Sequence, residues 1–155
     1  MMQASFIHLR VSSEFSISRG LLRINEIIDN AKKLKMPAVA LTDLNNMFGM
    51  VKFFKKAEAS GIKPIAGTIL NFKSPSGELG EILCLAKNND GLKSLMRIIS
   101  KSQLQQENGH ISVSFDDLSG CAGNIIVISG GSSSTTFNLV QHHKIQELRT
   151  ELLSF

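Results

Sequence analysis

The sequence contains neither tryptophan nor tyrosine, so an aromatic platform for nucleic-acid bases would have to come from its nine phenylalanines. Most of these phenylalanines stand in apolar contexts, which favours a place in the core. No apolar run reaches the length of about 18 residues that a membrane span needs, and the N-terminus lacks the apolar segment of a secretory signal peptide. These absences predict a cytoplasmic protein without membrane contact.

Cysteine is also scarce. Cys84 and Cys121 are far apart, and neither has a partner at the short spacing typical of metal sites. We therefore expect two buried free thiols in a reducing compartment. The 155 residues suit one globular domain or a part of a larger one. The formal net charge of +4 permits contact with nucleic acid but does not argue for it, because the basic residues are spread along the chain.

Apolar periodicity alternates between short strands and amphipathic helices. Strands are predicted at 6–11, 38–41, 62–72, 81–86 and 124–129. Helices are predicted from apolar residues at helical spacing. These are Ile24, Ile27, Ile28, Ala31 and Leu34, then Met50, Val51, Phe53, Phe54 and Ala57 along one side, then Leu92, Leu95, Met96 and Ile99 facing inward, and finally Ile145, Leu148 and Leu152. Gly61 is predicted to end the second helix, and Asn89 or Asp90 to cap the third. The turn residues of 74–80 suggest a hairpin.

Short apolar strands that alternate with helices indicate an α/β fold with a mainly parallel sheet covered by helices. An open doubly wound sheet and part of a barrel both fit this order, and either would place a site in the loops after the strands. The Gly/Ser-rich segment 129–136 lacks a Gly-Lys-Ser/Thr or GxGxxG pattern, so a flexible loop is favoured over a phosphate cradle. His142 and His143 have no further ligand at fitting spacing and are predicted to be a solvated pair in a polar helix.

Three co-linear segments remain, FIHLRVSSEFSISRG (6–20), PAVALTD (37–43) and GIKPIAG (61–67). They resemble the PHP (polymerase and histidinol phosphatase) domain at the N-terminus of bacterial DNA polymerase III alpha subunits. The residues that carry the resemblance are Phe6, His8, Leu9, Ser13, Glu14, Phe15, Ser16, Gly20, Pro37, Ala38, Ala40, Leu41, Thr42, Asp43, Gly49, Gly61, Ile62, Lys63, Pro64, Ile65 and Gly67. By this resemblance, residues 1–131 are the N-terminal part of a PHP domain. Residues 132–155 match weakly, as a loop and helix or as the continuation of the same domain.

The resemblance implies part of a distorted (β/α)7 barrel. In active members of the family, histidine and carboxylate ligands hold metal ions that hydrolyse a phosphoester. The ligand positions of the family fall here on Arg10, Ser12, Arg19, Leu44 and Ile69, with a further one near Glu81. Two of these are arginines, whose fixed positive charge would repel a metal ion. The resemblance therefore implies a vestigial cleft without catalytic residues, metal or cofactor.

Three further residues belong to this vestigial cleft: His8, Glu14 and Asp43. His8 lies outside the ligand set, and we expect it to make a structural hydrogen bond. We expect Asp43 to accept backbone N–H bonds in the loop after its strand. Arg10 and Arg19 are hypothesised to pair with Glu14 or Asp43, so that salt bridges replace the charge of the metal.

The resemblance also implies a function. The chain would be an N-terminal fragment of a replicative polymerase alpha subunit, whose full-length form synthesises DNA with Mg²⁺ in a more C-terminal polymerase domain. The fragment itself would be a non-catalytic scaffold for the polymerase core, with the proofreading exonuclease and other replicase subunits as partners and DNA bound through the full-length protein. Two alternatives stay open, a metal-dependent phosphoesterase or exonuclease, and a stand-alone nucleic-acid-binding domain with steep salt dependence.

Overall fold

The structure is a computed structural model that describes residues 6–17, 19–106 and 111–154. The chain divides into two compact units at a boundary between Thr68 and Ile69. The elements, in chain order, are α1 (Ile24–Lys33), β1 (Ala38–Leu44), α2 (Met50–Ala59), β2 (Lys63–Lys73), β3 (Leu79–Ala86), α3 (Asn89–Leu104), β4 (Val113–Ser114), α4 (Phe115–Ser119), β5 (Ile125–Ser129), a 3₁₀ turn (Gly131–Ser133), α5 (Thr135–Gln141) and α6 (Ile145–Ser154). This order confirms the α/β fold class.

The first unit contains α1, β1, α2 and the beginning of β2, and β1 neighbours β2. Helix α1 buries the predicted apolar stripe of Ile24, Ile27, Ile28 and Ala31, whereas Leu34 is the exposed cap residue. Helix α2 buries Met50, Phe53 and Ala57 but leaves Val51 exposed, which corrects the predicted face. Gly61 ends this helix as predicted, since its φ of +71° lets the Ile62 N–H reach the Ala57 carbonyl at 3.0 Å.

Residues 6–11 run beside β1 in an irregular extended segment, so the prediction of a strand there is wrong. The Ala40 N–H donates to the His8 carbonyl at 2.9 Å, and the Thr42 N–H donates to the Val11 carbonyl at 2.8 Å. The two donors are two residues apart, but the two acceptors are three apart, so one extra residue interrupts the ladder as in a β-bulge. The Thr42 hydroxyl accepts the Val11 N–H at 2.8 Å, where a regular ladder would offer a carbonyl.

The second unit contains the rest of β2 and all later elements, with its strands in the order β2, β3, β5 and with β4 beside β2. Strands β2 and β3 form the predicted hairpin, closed by the Ser74 N–H on the Glu78 carbonyl at 2.8 Å. Strand β4 is parallel to β2, and β5 is antiparallel to β3 with Cys84 opposite Val127. The sheet is therefore mixed.

Helix α3 begins one or two residues earlier than predicted, since Asn89 or Asp90 was the expected cap. Its N-cap is Asn88, whose side chain accepts the Gly91 N–H at 2.8 Å. A side chain at position 91 would lie 2.0 Å from the Asn124 carbonyl oxygen, so this end of the helix packs directly on backbone. The buried apolar residues are Leu95 and Ile98, whereas Met96 is 44% exposed, which corrects the predicted inward face.

The segment 129–136 is not the predicted loop but a 3₁₀ turn followed by the start of α5. The Ser134 hydroxyl caps α5 by accepting the Phe137 N–H at 3.1 Å. His142 and His143 are exposed as predicted, but they lie in the turn that ends α5 and not within a helix. Both cysteines are buried and free as predicted. Within the three described ranges, no helix has the length and apolar character needed to cross a membrane.

Candidate functional site at the end of strand β1

Asp43 is a buried carboxylate near the end of β1, with 1% of its surface exposed. Its Oδ1 accepts the Ser13 N–H at 2.7 Å and the Ser16 hydroxyl at 2.6 Å. Its Oδ2 accepts the Ser13 hydroxyl at 2.8 Å. Since a buried charge is stabilised only when hydrogen-bond donors replace water, these three donors account for the position of Asp43. The carboxylate thereby fastens the loop that holds both serines to β1.

The backbone around Asp43 is satisfied by further polar side chains. The Ser16 hydroxyl accepts the Leu44 N–H at 3.1 Å, and the Thr68 hydroxyl donates to the Asp43 carbonyl at 2.8 Å. The Asn46 amide donates to the carbonyls of Phe15 at 3.1 Å and Leu44 at 2.9 Å. Buried backbone groups outside regular ladders need such partners. The donors to the carboxylate come from the loop before α1, which corrects the expectation that they belong to the loop after β1.

Gly20 closes the same loop. The N–H groups of Arg19 and Gly20 both donate to the Ser16 carbonyl at 2.9 Å. A Cβ atom at position 20 would lie 1.9 Å from the Ser13 carbonyl oxygen. Only glycine allows this approach of two backbone segments.

Glu14 points away from the Asp43 network. Its carboxylate lies 3.6 Å from the Lys52 ammonium and 3.9 Å from the Arg23 guanidinium. The described partners of Glu14 are therefore Lys52 and Arg23, and those of the Asp43 carboxylate are Ser13 and Ser16. The pairing of Arg10 and Arg19 with these carboxylates stays a prediction.

A cavity of about 580 Å³ in the first unit brings together four of the predicted cleft residues, His8, Arg10, Ser12 and Arg19. Its remaining lining is mostly apolar and comes from the 20–22 loop, from α1 and from the start of β1. Two arginines and no acidic side chain are among its described lining residues.

The other predicted residues lie elsewhere. Glu14, Asp43 and Leu44 do not line this cavity, and Ile69 is buried in the part of β2 that belongs to the second unit. The His8 ring packs edge-on against Phe6, with 4.8 Å between centroids. Its structural hydrogen bond stays a prediction. Across the part of the chain that the structure describes, no three histidine, cysteine, aspartate or glutamate side chains are grouped so that they could hold a metal ion.

Sequence reasoning gave no role to Ser13 and Ser16, although they supply all three bonds to Asp43. The available signal was the Ser-x-x-Ser spacing at the end of an extended segment. That spacing places two hydroxyls on one side of a turn, within reach of a neighbouring strand.

The fold and the site define an α/β domain whose polar network lies at the carboxyl end of a buried strand, the edge at which such domains carry their sites. The chain belongs to the PHP domain family, whose profile matches residues 8–155. The match includes residues 132–155, where the resemblance read from the sequence was weak.

Within this family, the chain is similar to curated alpha subunits of DNA polymerase III. The DNA polymerase III subunit alpha of Vibrio cholerae is 40% identical over an alignment of 137 residues that covers 86% of this chain and 12% of that protein. The subunit of the same name from Borreliella burgdorferi is 33% identical over an alignment of 163 residues, gaps included, that covers 99% of this chain and 14% of that protein. The chain therefore spans only a small part of the length of these relatives. A crystal structure of a candidate metal-dependent phosphoesterase from Bifidobacterium adolescentis matches with a TM-score of 0.52 and 16% identity, over 66% of this chain and 34% of that one. At this identity, it supports the fold alone.

Proposed function

We propose that this PHP domain is a metal-free, non-catalytic scaffold within a replicative DNA polymerase alpha subunit. The observation that carries the proposal is the set of hydrogen bonds that Asp43 accepts. All three of its hydrogen bonds hold the loop of residues 13–16 in place, so its oxygens serve the fold. By the resemblance, two positions that the family uses for metal ligands carry Arg10 and Arg19, whose fixed positive charge disfavours a metal ion, and both line the cavity of the first unit.

The role of the whole protein follows from the relatives by analogy. Under this proposal, the full-length protein synthesises DNA on a template in the cytoplasm, with Mg²⁺ held outside the PHP domain. The PHP domain supports the polymerase core and docks the proofreading exonuclease subunit and other replicase subunits. The identity of 33–40% to alpha subunits over most of this chain supports this assignment.

The alternative function is that of a metal-dependent phosphoesterase, which the similarity of fold to the Bifidobacterium structure favours. Purified protein separates the two. We expect elemental analysis to find metal well below one ion per chain, and no EDTA-sensitive hydrolysis of p-nitrophenyl phosphate or of single-stranded DNA with Mn²⁺ or Zn²⁺ added. Stoichiometric metal together with activity that EDTA abolishes would establish the phosphoesterase.

The scaffold role has its own test. The chain is mixed with the proofreading exonuclease subunit of the same organism, and the mixture is analysed by size-exclusion chromatography with light scattering. We expect a complex of defined stoichiometry that persists at 0.15 M salt, about the physiological ionic strength. Separate elution at micromolar concentrations of both proteins would contradict docking through this domain.

A further inference from the structure

The basic residues are spread along the sequence, but the excess positive charge belongs to the first unit. Residues 1–68 contain ten lysines and arginines and five aspartates and glutamates, which gives a formal charge of +5. Residues 69–155 contain seven and eight of these, which gives a formal charge of −1. Such an asymmetry between two parts of a chain indicates contact with a polyanion through the basic part.

Four lysines of the first unit lie where β1 and β2 begin. Lys32 and Lys33 end α1, and Lys35 follows them before β1. Lys63 is the first residue of β2, and its N–H donates to the Pro37 carbonyl at 3.0 Å. This bond holds Lys63 beside the segment that links α1 to β1. We call these four lysines the lysine cluster.

The side chains of the lysine cluster are exposed and have no partner. All four residues are exposed to solvent, and within the described residues none of their ammonium groups forms a hydrogen bond or an ion pair. The carboxylate of Asp29, one helical turn before Lys33, lies 3.5 Å from Lys56. Unpaired like charges on one surface repel one another, so this surface favours the approach of an anion.

The backbone of Lys35 supports a role for its side chain. Its φ is +55°, in the left-handed region. The Lys35 N–H donates to the Lys32 carbonyl at 3.0 Å, and the Met36 N–H donates to the Ala31 carbonyl at 2.9 Å. This is the Schellman arrangement at the end of a helix, in which the left-handed residue is usually glycine because a side chain there is strained.

Helix stability alone does not account for the lysine cluster. The C-terminal dipole of α1 favours lysines in its last turn. It explains neither the strained backbone of Lys35 nor the position of Lys63 on a strand. A strained residue that keeps a long charged side chain indicates a functional contact for that side chain.

We propose that the lysine cluster binds the phosphate backbone of a nucleic-acid duplex without reading its sequence. Lysine is a point charge that suits phosphate contacts, whereas base edges are mostly read by side chains with paired donors or acceptors. The segments 32–37 and 60–65 contain no aromatic residue on which unpaired bases could stack, which favours a duplex over a single strand. Leu34, 63% exposed, is the large apolar side chain among these lysines, and it alone is too little for the apolar core of a protein interface.

The lysine cluster and Asp43 lie toward opposite ends of β1. Lys35 precedes the strand, whereas Asp43 is its last residue but one, roughly 15–20 Å further along at about 3.3 Å per residue. The proposal therefore does not depend on the metal-free state of the domain. It adds to the proposed function a DNA contact that the PHP domain makes itself, so metal content and subunit docking test the one proposal and duplex binding tests the other.

Fluorescence anisotropy with a labelled DNA duplex of about 20 base pairs tests the proposal, with EDTA present throughout. Each phosphate contact with B-DNA lowers the slope of log affinity against log salt by about 0.9, so four contacts give a slope of about −3.6. The affinity should therefore fall roughly a hundredfold between about 50 and 200 mM NaCl, and a duplex of unrelated sequence should bind equally well. Absence of binding at about 50 mM NaCl, or a preference of more than about tenfold for one sequence, would overturn the proposal.

Variants locate the contact. Lys32→Gln, Lys35→Gln and Lys63→Gln should each weaken duplex binding and bring the salt slope closer to zero by about 0.9. Replacement of all four lysines by glutamine should abolish the salt-dependent binding. The matched control replaces four other exposed lysines, so that both fourfold variants have a formal net charge of 0; these are Lys52, Lys55, Lys87 and Lys93. An equal loss in both fourfold variants would show attraction by net charge alone and would contradict a defined site.

Lys35→Gly separates binding from folding. Glycine relieves the left-handed strain, so this variant should melt about 2 °C higher than the original protein while it binds the duplex more weakly. Unchanged duplex affinity in this variant would contradict the assignment of Lys35. Vesicles that contain phosphatidylserine and poly-L-glutamate are the competing probes, and tighter binding of either than of the duplex would assign the lysine cluster to a membrane or to an acidic protein and overturn the proposal.

Discussion

Replacement of Asp43 by alanine tests the physical basis of the site most directly. The substitution removes the acceptor of three hydrogen bonds from a place where 1% of the residue is exposed, so water cannot readily substitute. A hydrogen bond to a charged group contributes about 1.5–3 kcal/mol, and a buried donor left without an acceptor costs about 1–3 kcal/mol. The two serine hydroxyls can rotate toward other acceptors, but the Ser13 N–H cannot. We therefore expect a loss of about 4 kcal/mol in the free energy of unfolding.

The Asp43→Asn variant makes the expectation sharper. Its amide oxygen can still accept from the Ser13 N–H and the Ser16 hydroxyl, while its amide nitrogen faces the Ser13 hydroxyl. It loses the charge, and the bond at this position is reversed, with the amide nitrogen donating to the Ser13 hydroxyl oxygen, so the expected destabilisation is about 2 kcal/mol. The stabilities should therefore rank as original protein, then Asp43→Asn, then Asp43→Ala.

The measurement is guanidinium unfolding followed by far-ultraviolet circular dichroism, together with thermal melting. At about 2–4 °C per kcal/mol for a chain of this size, Asp43→Ala should melt roughly 10 °C lower. Asp29→Ala is the matched control, because Asp29 pairs with Lys56 at 3.5 Å on the surface with 65% of its side chain exposed, and its removal should cost less than about 1 kcal/mol. A difference of less than about 2 °C between the melting temperatures of Asp43→Ala and Asp29→Ala corresponds to less than about 1 kcal/mol. Such a result would refute the claim that the hydrogen bonds of Asp43 stabilise the fold.

Three further predictions concern other parts of the chain. Gly20→Ala should destabilise the protein by about 2 kcal/mol or more, because the added Cβ would lie 1.9 Å from a backbone oxygen. Gly123→Ala is the control and should be near neutral, because a Cβ there has open space. Equal melting temperatures of the two variants would contradict the close approach at Gly20. Partial burial raises the pKa of Asp117, but hydrogen bonds from Lys101 and Ser114 outweigh burial and leave this pKa below its ordinary value. A pKa that is lower in the folded state stabilises the fold at pH values above the unfolded pKa of about 3.9. Asp117→Asn should therefore melt at a lower temperature than the original protein at pH 7, and the difference in melting temperature should disappear as the pH falls well below about 4. A difference that stays constant across this pH range would contradict the lowered pKa. Burial raises the pKa of the Cys84 thiol to about 12. In a Cys121→Ser variant, the folded protein should therefore not react with a disulfide reagent at pH 8 until it is unfolded. Fast reaction of the folded form would contradict the burial of Cys84.

Local periodicity predicted where α1, α2, α3 and α6 lie better than it predicted their ends and buried faces. The stripe of Ile24, Ile27 and Ile28 could be read from the sequence because the spacing of a helix decides which residues face inward. The N-cap of α3 is Asn88, one or two residues before the predicted Asn89 or Asp90. All three residue types suit the position, and only the contact at Gly91 selects among them. The serine-rich segment 129–136 was read as a loop, although serine is also a preferred N-cap and Ser134 acts as one.

Nonlocal contacts explain what could not be predicted. The extended segment 6–11 carries the apolar pattern of a strand. However, its Val11 N–H donates to the Thr42 side chain and not to a backbone carbonyl, and Thr42 lies 31 positions away in the sequence. The donors of Asp43 come from Ser13 and Ser16, which are 30 and 27 positions away in the sequence. Composition shows that a loop can form hydrogen bonds but not which strand it will contact.

The same carboxylate would also decide whether metal chemistry could be restored. Two carboxylate oxygens offer about four lone-pair directions, and three of those on Asp43 receive donors from Ser13 and Ser16. One direction remains, so a metal ion that used more than this direction would have to displace donors that hold the loop to β1, in a place where 1% of the residue is exposed. The contacts that keep the shape of this PHP strand end therefore leave its carboxylate little freedom to ligate a metal, which supports the proposal of a metal-free domain.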